Sequence, residues 1–432
     1  MSLFRFLASA ALLACIPTGA NALLAFPGAE GFGREAEGGR TGAVYHVTNL
    51  DDSGEGSFRD AVSTANRIVV FDVGGTINVT DRVVVSKNIY IAGQSAPGDG
   101  VTIYGNGLSW SNADNGIVRY MRFRMGKGGD SGKDGITIAE GENIIFDHVS
   151  VTWGRDETFS INGEVHNVTI QDSIIGQGLE THSCGGLMQS DYGLSLFRNL
   201  YIDNKTRNPK VKGMNDFQNN VIYNWGGGGG YIAGDSDGQS NANIINNYFI
   251  SGPSTSVTAF TRGNANFHGC APDDINPFYL DVSENYYDSD RDGTLNGSPL
   301  CVDTSCYSDM DIVTTAFAYP GPENLLTAPE AAEHVLANVG ATYPKRDAVD
   351  ARLVSEVQTY GQDGQLISDE TASPMNGPGF IAGGTAPTDS DGDGIPDEWE
   401  SANGLDPNDA GDAMAIASSG YANIEVYLNS LV

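Results

Sequence analysis

Basic residues are scarce in this chain: 23 Lys and Arg stand against 55 Asp and Glu in 432 residues, a formal net charge of −32 at pH 7. Such an excess repels phosphate backbones and anionic bilayers, which excludes nucleic acid and membrane surface as the main partners. Long apolar runs are also missing. Beyond the first two dozen residues no stretch can span a bilayer, so the body of the chain is expected to be soluble. Cysteines number five, and the first falls in an N-terminal leader.

That leader is residues 1–22. Arg5 is its positive start, residues 6–16 are apolar but too short for a membrane span, and Ala20-Asn21-Ala22 is a small-x-small cleavage site. The expectation is a secreted, extracellular, monomeric protein whose mature charge is −33, because the leader removes one Arg and no acid from −32. Cys184, Cys270, Cys301 and Cys306 remain, an even number that suggests disulfides. Cys301 with Cys306 and Cys184 with Cys270 is one of three possible pairings. Asn78, Asn167, Asn204 and Asn296 open glycosylation sequons.

The 56 glycines, with many Asn, Ser and Thr, favour turns and short strands over long helices. Between about 65 and 290, short β-rich runs alternate with Gly/Asn/Asp turns, at 67–72, 101–104, 143–146, 167–170, 195–197 and 243–245. Aligning a polar residue after each strand gives His148, Asp172, Asn199, Asn220, Asn247 and Asn285, spaced by 24, 27, 21, 27 and 38 residues. A loose period made of strands predicts an all-β fold, a right-handed parallel β-helix with stacked polar ladders. A β-sandwich would not explain the recurring Asn. Residues 329–338 predict a short amphipathic helix with Pro329 near its start. The domain plan is a β-helix over 23–371, a Gly/Pro linker over 372–387 and a small module over 388–432.

The module opens with a twelve-residue EF-hand-type loop. Asp389, Asp391, Asp393, Asp397 and Glu400 fall at positions 1, 3, 5, 9 and 12, Gly394 at position 6, and Ile395 offers its backbone carbonyl. This oxygen-rich spacing predicts Ca2+. A second acidic cluster, Asp406, Asn408, Asp409 and Asp412, lacks the full pattern. With ten acids and no Lys or Arg from 389 onward, this end is expected to fold poorly without the ion.

The least acidic neighbourhood is residues 198–212, where Arg198, Lys205, Arg207, Lys210 and Lys212 accompany one acid, Asp203. A cationic island on a repulsive surface points to an anionic ligand. Asp134, Asp147 and Asp156-Glu157 fall at similar places on successive predicted strands. Residues one turn apart stack about 4.8 Å apart, close enough to form a calcium site or an acid/base pair.

These segments resemble polysaccharide lyase family 1, the pectate lyases, and most closely the fungal secreted type with a C-terminal EF-hand-like segment. The resemblance runs from about 25 to 290. It rests on Ala25-Phe-Pro-Gly-Ala-Glu-Gly-Phe-Gly33, on residues 45–59, on Phe146-Asp-His148 and on Arg207-Asn-Pro-Lys-Val-Lys-Gly213. It implies calcium-dependent β-elimination on α-1,4-linked polygalacturonate. Arg207 is then the base, Lys212 binds substrate carboxylate with Lys210 as a further substrate contact, and Asp134 and Asp156 are calcium ligands with Glu157 as a supplement. Two positions depart from the pattern: Ser160 replaces an acid and Cys184 replaces a lysine. Rival readings are a hydrolase on the same fold, which lacks its downstream Arg-Ile-Lys here, a pectin lyase on methyl-esterified substrate, and a non-catalytic polysaccharide-binding β-helix.

Overall fold

The computed structural model describes residues 22–233, 239–261 and 278–432. Within them the chain coils into a parallel β-helix. The spine of one sheet is β1 (Ala43–Val47), β2 (Arg67–Phe71), β3 (Ile89–Ala92), β4 (Gly116–Arg119), β5 (Ile136–Asp147), β6 (Glu157–Gln171), β7 (Cys184–Phe197), β8 (Lys210–Gln218) and β9 (Ser240–Ile245), each paired in parallel with the next. The second sheet stacks short strands lying between them in sequence, among them Ser150–Thr152, Ile174–Gly176, Leu200–Ile202 and Val221–Tyr223. All six strand segments read from the sequence lie within or across observed strands.

Alternation of side chains builds the interior. One inward column runs Tyr45, Val69, Ile91, Val118, Phe146, Ile170, Leu196, Phe217, Ile244 and Val282, each in register with the next. Phe146 meets Phe159 and Trp110 edge-on, with ring centroids 5.0 and 5.3 Å apart. Truncating so buried a Phe costs about 3–5 kcal/mol.

The polar ladder exists, with one difference in register. Asn199, Asn220 and Asn247 each donate their backbone N–H to the side-chain oxygen of the next member, ending at Asn285, over 2.8–3.0 Å. Ser173 joins them by donating to Asn199 over 3.0 Å. His148 and Asp172 stand one residue earlier, at left-handed turn positions (φ 52° and 49°). A shared polar character aligned them with the asparagines, but the turn separates the two columns.

Outward-facing apolar residues need cover, and C-terminal segments provide it. After the short helix α1 (Phe58–Ser63) near the start of the coil, helices α2 (Ala328–Asn338) and α3 (Ala348–Val357) bury Ala332, Val335, Leu353 and Val357 against Ile174, Leu200, Val221 and Tyr223 of the second sheet. Thr327 caps α2 in a capping box, with Pro329 in its first turn. On the first sheet, Ile68, Val70, Tyr90, Ile117 and Ile145 form one apolar cluster with Ile395, Ala413, Ile424 and Leu428. Two C-terminal helices, α4 (Asp397–Asn403) and α5 (Asn423–Ser430), frame that contact. Residues between the helix pairs lie along the coil, where Ala382 O accepts from Asp99 N over 2.8 Å.

Cys301 and Cys306 form a disulfide. Cys184 carries a free, buried thiol, and Cys270, the other half of the second expected pair, lies outside the described residues. Asn204 is wholly buried and donates its amide to Ile175 O and Asn208 Oδ1, which leaves that sequon unavailable in the folded chain. Residues 1–21, all but the last of the expected leader 1–22, also lie outside the described residues. Among the described residues, no helix is long and apolar enough to cross a membrane.

Candidate active site and calcium sites

Parallel stacking brings residues far apart in sequence onto adjacent rungs. Glu157, at the start of β6, stands in register with Cys184 at the start of β7. Asp134 sits one rung below: its Oδ1 accepts from Glu157 N over 3.2 Å and its Oδ2 from Thr137 Oγ1 over 2.7 Å. Arg207 lies above, just before β8, and its Nη1 forms an ion pair with Glu157 Oε1. Of the acids expected to stack on successive strands, Asp134 and Glu157 meet here, and Arg207 joins them from above.

Each acid of this group has a partner. Asp156 Oδ1 lies 3.0 Å from His182 Nδ1. Burial pushes the Asp134 carboxyl up from its ordinary value, while the Thr137 hydroxyl, the Arg82 charge and the Ser160 hydroxyl pull it down. Ser160 therefore gives Asp134 a hydroxyl where an acid was expected. Cys184 is held neutral: burial pushes its thiol up to about 12, with Asp156 and Asp134 adding to the effect. Ligand atoms of Asp156, Glu157 and Cys184 lie within 4.8 Å of one another. The carboxylates suit a hard cation such as calcium, and a protonated thiol does not.

Lys210 is buried on β8, opposite Leu187. Lys212, two residues on, stands opposite Gln189 and half-exposed, with Nζ 3.8 Å from Asp191 Oδ2. Beside Asp156, a 330 Å³ cavity is lined by Lys127, Arg155, Glu180 and His182. His182 and Thr137 were not singled out from the sequence; only their neighbours in the motifs pointed to them.

The basic island does not stay together. Lys205 turns to Glu180, 3.0 Å away. Arg198 points elsewhere, onto Asp172 at 2.9 Å and Glu30 at 2.6 Å, in a 660 Å³ cavity that also holds Asp147, His148 and His334. There Arg119 and His148 pair with Asp147 at 2.7 and 2.8 Å, and His334 reaches Asp172 at 2.7 Å. Each of these ionic groups has an opposite partner, and the network ties the N-terminal segment and α2 to the first sheet. Asp147 is thereby separated from the Asp134 group.

In the C-terminal loop, ligand atoms of Asp389, Asp391 and Asp393 lie within 4.8 Å of one another, as do those of Asp393, Glu400 and Asp412. Asp389 accepts from the N–H groups of Gly392 and Gly394 over 2.8 and 2.9 Å. Ile395 is buried beneath the loop. Asp397 stands apart, its two oxygens accepting from Ser390 N and Oγ, both over 2.7 Å. Burial and mutual repulsion push Asp393 up to about 6 and Glu400 up to about 7.

The chain is 65% identical over 412 residues to a probable pectate lyase C of Aspergillus flavus, covering 95% of each chain. It is 64% identical over 423 residues to the probable pectate lyase C of Emericella nidulans, covering 98% of this chain and 96% of that one. Among solved structures, jun a 1, the major allergen from cedar pollen, matches the fold with a TM-score of 0.53 at 18% identity, over 72% of this chain and 92% of that one. No protein-family model matches the chain.

Proposed function

This chain belongs to the pectate lyases and is a polysaccharide lyase, and we propose that it cleaves α-1,4-linked polygalacturonate by calcium-dependent β-elimination, giving 4,5-unsaturated oligogalacturonates outside the cell. The observation that carries this reading is the Arg207 guanidinium set against Asp134, Asp156 and Glu157 on neighbouring rungs.

Calcium at Asp134, Asp156 and Glu157, once bound, supplies a Lewis acid for the substrate carboxylate. Arg207 takes the proton from C5, next to that carboxylate. The C5 electron pair forms the C4=C5 double bond as the C4–O glycosidic bond breaks, and the departing oxygen takes a proton from water. Ordinarily a guanidinium stays charged, and the Glu157 partner favours the charged form. Drawing Glu157 away and bringing a like charge near lowers the cost of a neutral arginine. Lys212 and Lys210 hold substrate carboxylate and stabilise charge developing on it. Lys127, Arg155 and His182 around the neighbouring cavity suit a polyanion.

The 389–400 loop holds a second calcium through Asp389, Asp391, Asp393, the Ile395 carbonyl and Glu400, in a module spanning 388–432. The leader 1–22 directs secretion, and the protein acts as a monomer. The deciding experiment measures ultraviolet absorbance of unsaturated product on polygalacturonate with calcium and with chelator. Signal that requires calcium supports the reading. New reducing ends without absorbance would indicate hydrolysis, and chelator-resistant cleavage of esterified pectin alone would indicate a pectin lyase.

A further inference from the structure

We propose that Asp412, from outside the 389–400 loop, completes the C-terminal calcium site, and that the ion so held fastens α5 to the β-helix; this rests on reading 389–400 as a calcium loop. Glu400 is wholly buried, and among the described residues neither of its carboxylate oxygens has a hydrogen-bond partner. Both oxygens of Asp391, Oδ2 of Asp393 and Oδ1 of Asp412 are likewise buried and partnerless. Six such oxygens in one place are costly unless a cation takes them. Calcium accepts about six to eight oxygens.

The ninth loop position lies apart from this cluster: Asp397 is turned to Ser390, whose N–H and Oγ donate to its two oxygens, and it is not among the carboxylates that converge here. Asp412 has one oxygen engaged, accepting from Asp406 N over 3.0 Å, and the other facing Asp393 and Glu400. The segment after it is anchored to the coil. Asn423 Nδ2 donates to Asp412 O and Ile424 N to Ala413 O, both over 2.9 Å. Ile424 and Leu428 are buried on the first sheet. Glu425 pairs with Arg40 at 2.9 Å, and Asn429 accepts from Arg119 over 3.0 Å. Gly394 keeps the loop close: a Cβ there would come within 2.9 Å of Val44 and 3.2 Å of Ile424. Without the ion, acids from two segments repel where those segments must meet.

The test uses the full chain with calcium alone. Hydrogen exchange of the wild type should slow across 404–432 when calcium is added; unchanged exchange there overturns the clamp. Terbium luminescence excited through Trp399, with Trp399→Phe as blank and calcium as competitor, reports this site separately from the cleft. Asp412→Asn should weaken calcium about tenfold or more, and Asp397→Asn by less than about threefold. The reverse ranking would refute the Asp412 assignment and leave the calcium loop standing. Calcium that fails to bind the wild type at a site lost in Glu400→Gln would refute the loop itself.

Discussion

The cleft around Arg207 and the C-terminal loop both gather carboxylates, yet they differ in what their oxygens contact. In the cleft the chain supplies the partners: Arg207 for Glu157, His182 for Asp156, and the Thr137 hydroxyl for Asp134. In the loop, six buried oxygens of Asp391, Asp393, Glu400 and Asp412 have none. A cation entering the cleft must displace existing contacts, so its site should be weak and exchangeable. A cation entering the loop relieves repulsion already present, so that site should be tight and tied to folding. Acidic composition alone does not distinguish the two carboxylate groups; the partners of each oxygen do.

The largest effect should come from the cleft. Arg207→Ala is expected to lower kcat by about 10³-fold or more, near the upper range for a general base. The KM for polygalacturonate should change by less than about tenfold. Initial rates of unsaturated product decide it, and turnover within tenfold of wild type would remove Arg207 as the base. Chelation should then separate the two sites. With free calcium about 1,000-fold above the loop's dissociation constant, its removal costs about 4 kcal/mol of stability. Thermal unfolding against free calcium should show this loss at lower calcium than the loss of activity. Coincident midpoints would mean that the two carboxylate groups do not differ as argued.

Much of this was legible in the sequence because repetition encodes it. Asn199, Asn220, Asn247 and Asn285 are one residue type doing one job on successive turns, so the coil showed in their spacing. Stacking of Asp134 beneath Glu157 followed from the same period. Contacts that cross the period were not legible. Nothing in the spacing of Arg198 says that it leaves the basic island for Glu30, 168 residues away. The Arg207–Glu157 pair depends on a side chain reaching across the intervening Cys184 rung. Asp412 was visible as an acid, but its place beside Glu400 depends on how the chain turns back between α4 and α5.

A lone orphaned carboxylate should behave differently from a cluster, by taking a proton. Asp216 on β8 accepts from Gln218 over 2.6 Å and Asn243 over 3.3 Å, while its Oδ2 is buried and partnerless. Burial raises it from 3.8 to about 6. A carboxyl protonated more readily folded than unfolded stabilises the fold fully below its unfolded value near 4. That contribution is lost as pH rises through about 6, and the full swing is about 3 kcal/mol. Asp216→Asn should therefore gain stability relative to wild type by up to about that amount between pH 4 and 7. Denaturant unfolding of both proteins at each pH measures the gap, and a constant gap would show that Asp216 stays ionised.

The smallest effect probes the contact that most sets the cleft apart. Glu157 serves Arg207 in the structure and is proposed to serve calcium during catalysis, so Glu157→Gln alters both. The amide keeps an acceptor for the guanidinium and removes one charge from the cation site. Calcium affinity depends on ligand charge, so the concentration for half-maximal activity should rise about tenfold. At saturating calcium, kcat should fall by less than about tenfold, because Arg207 remains in place. The thermal shift produced by calcium should not move, since Asp391, Asp393, Glu400 and Asp412 are untouched. An unchanged calcium requirement would assign Glu157 to Arg207 alone, and the cleft cation would then rest on Asp134 and Asp156. A lost thermal shift would instead mean that the stabilising ion sits in the cleft, which reverses the comparison.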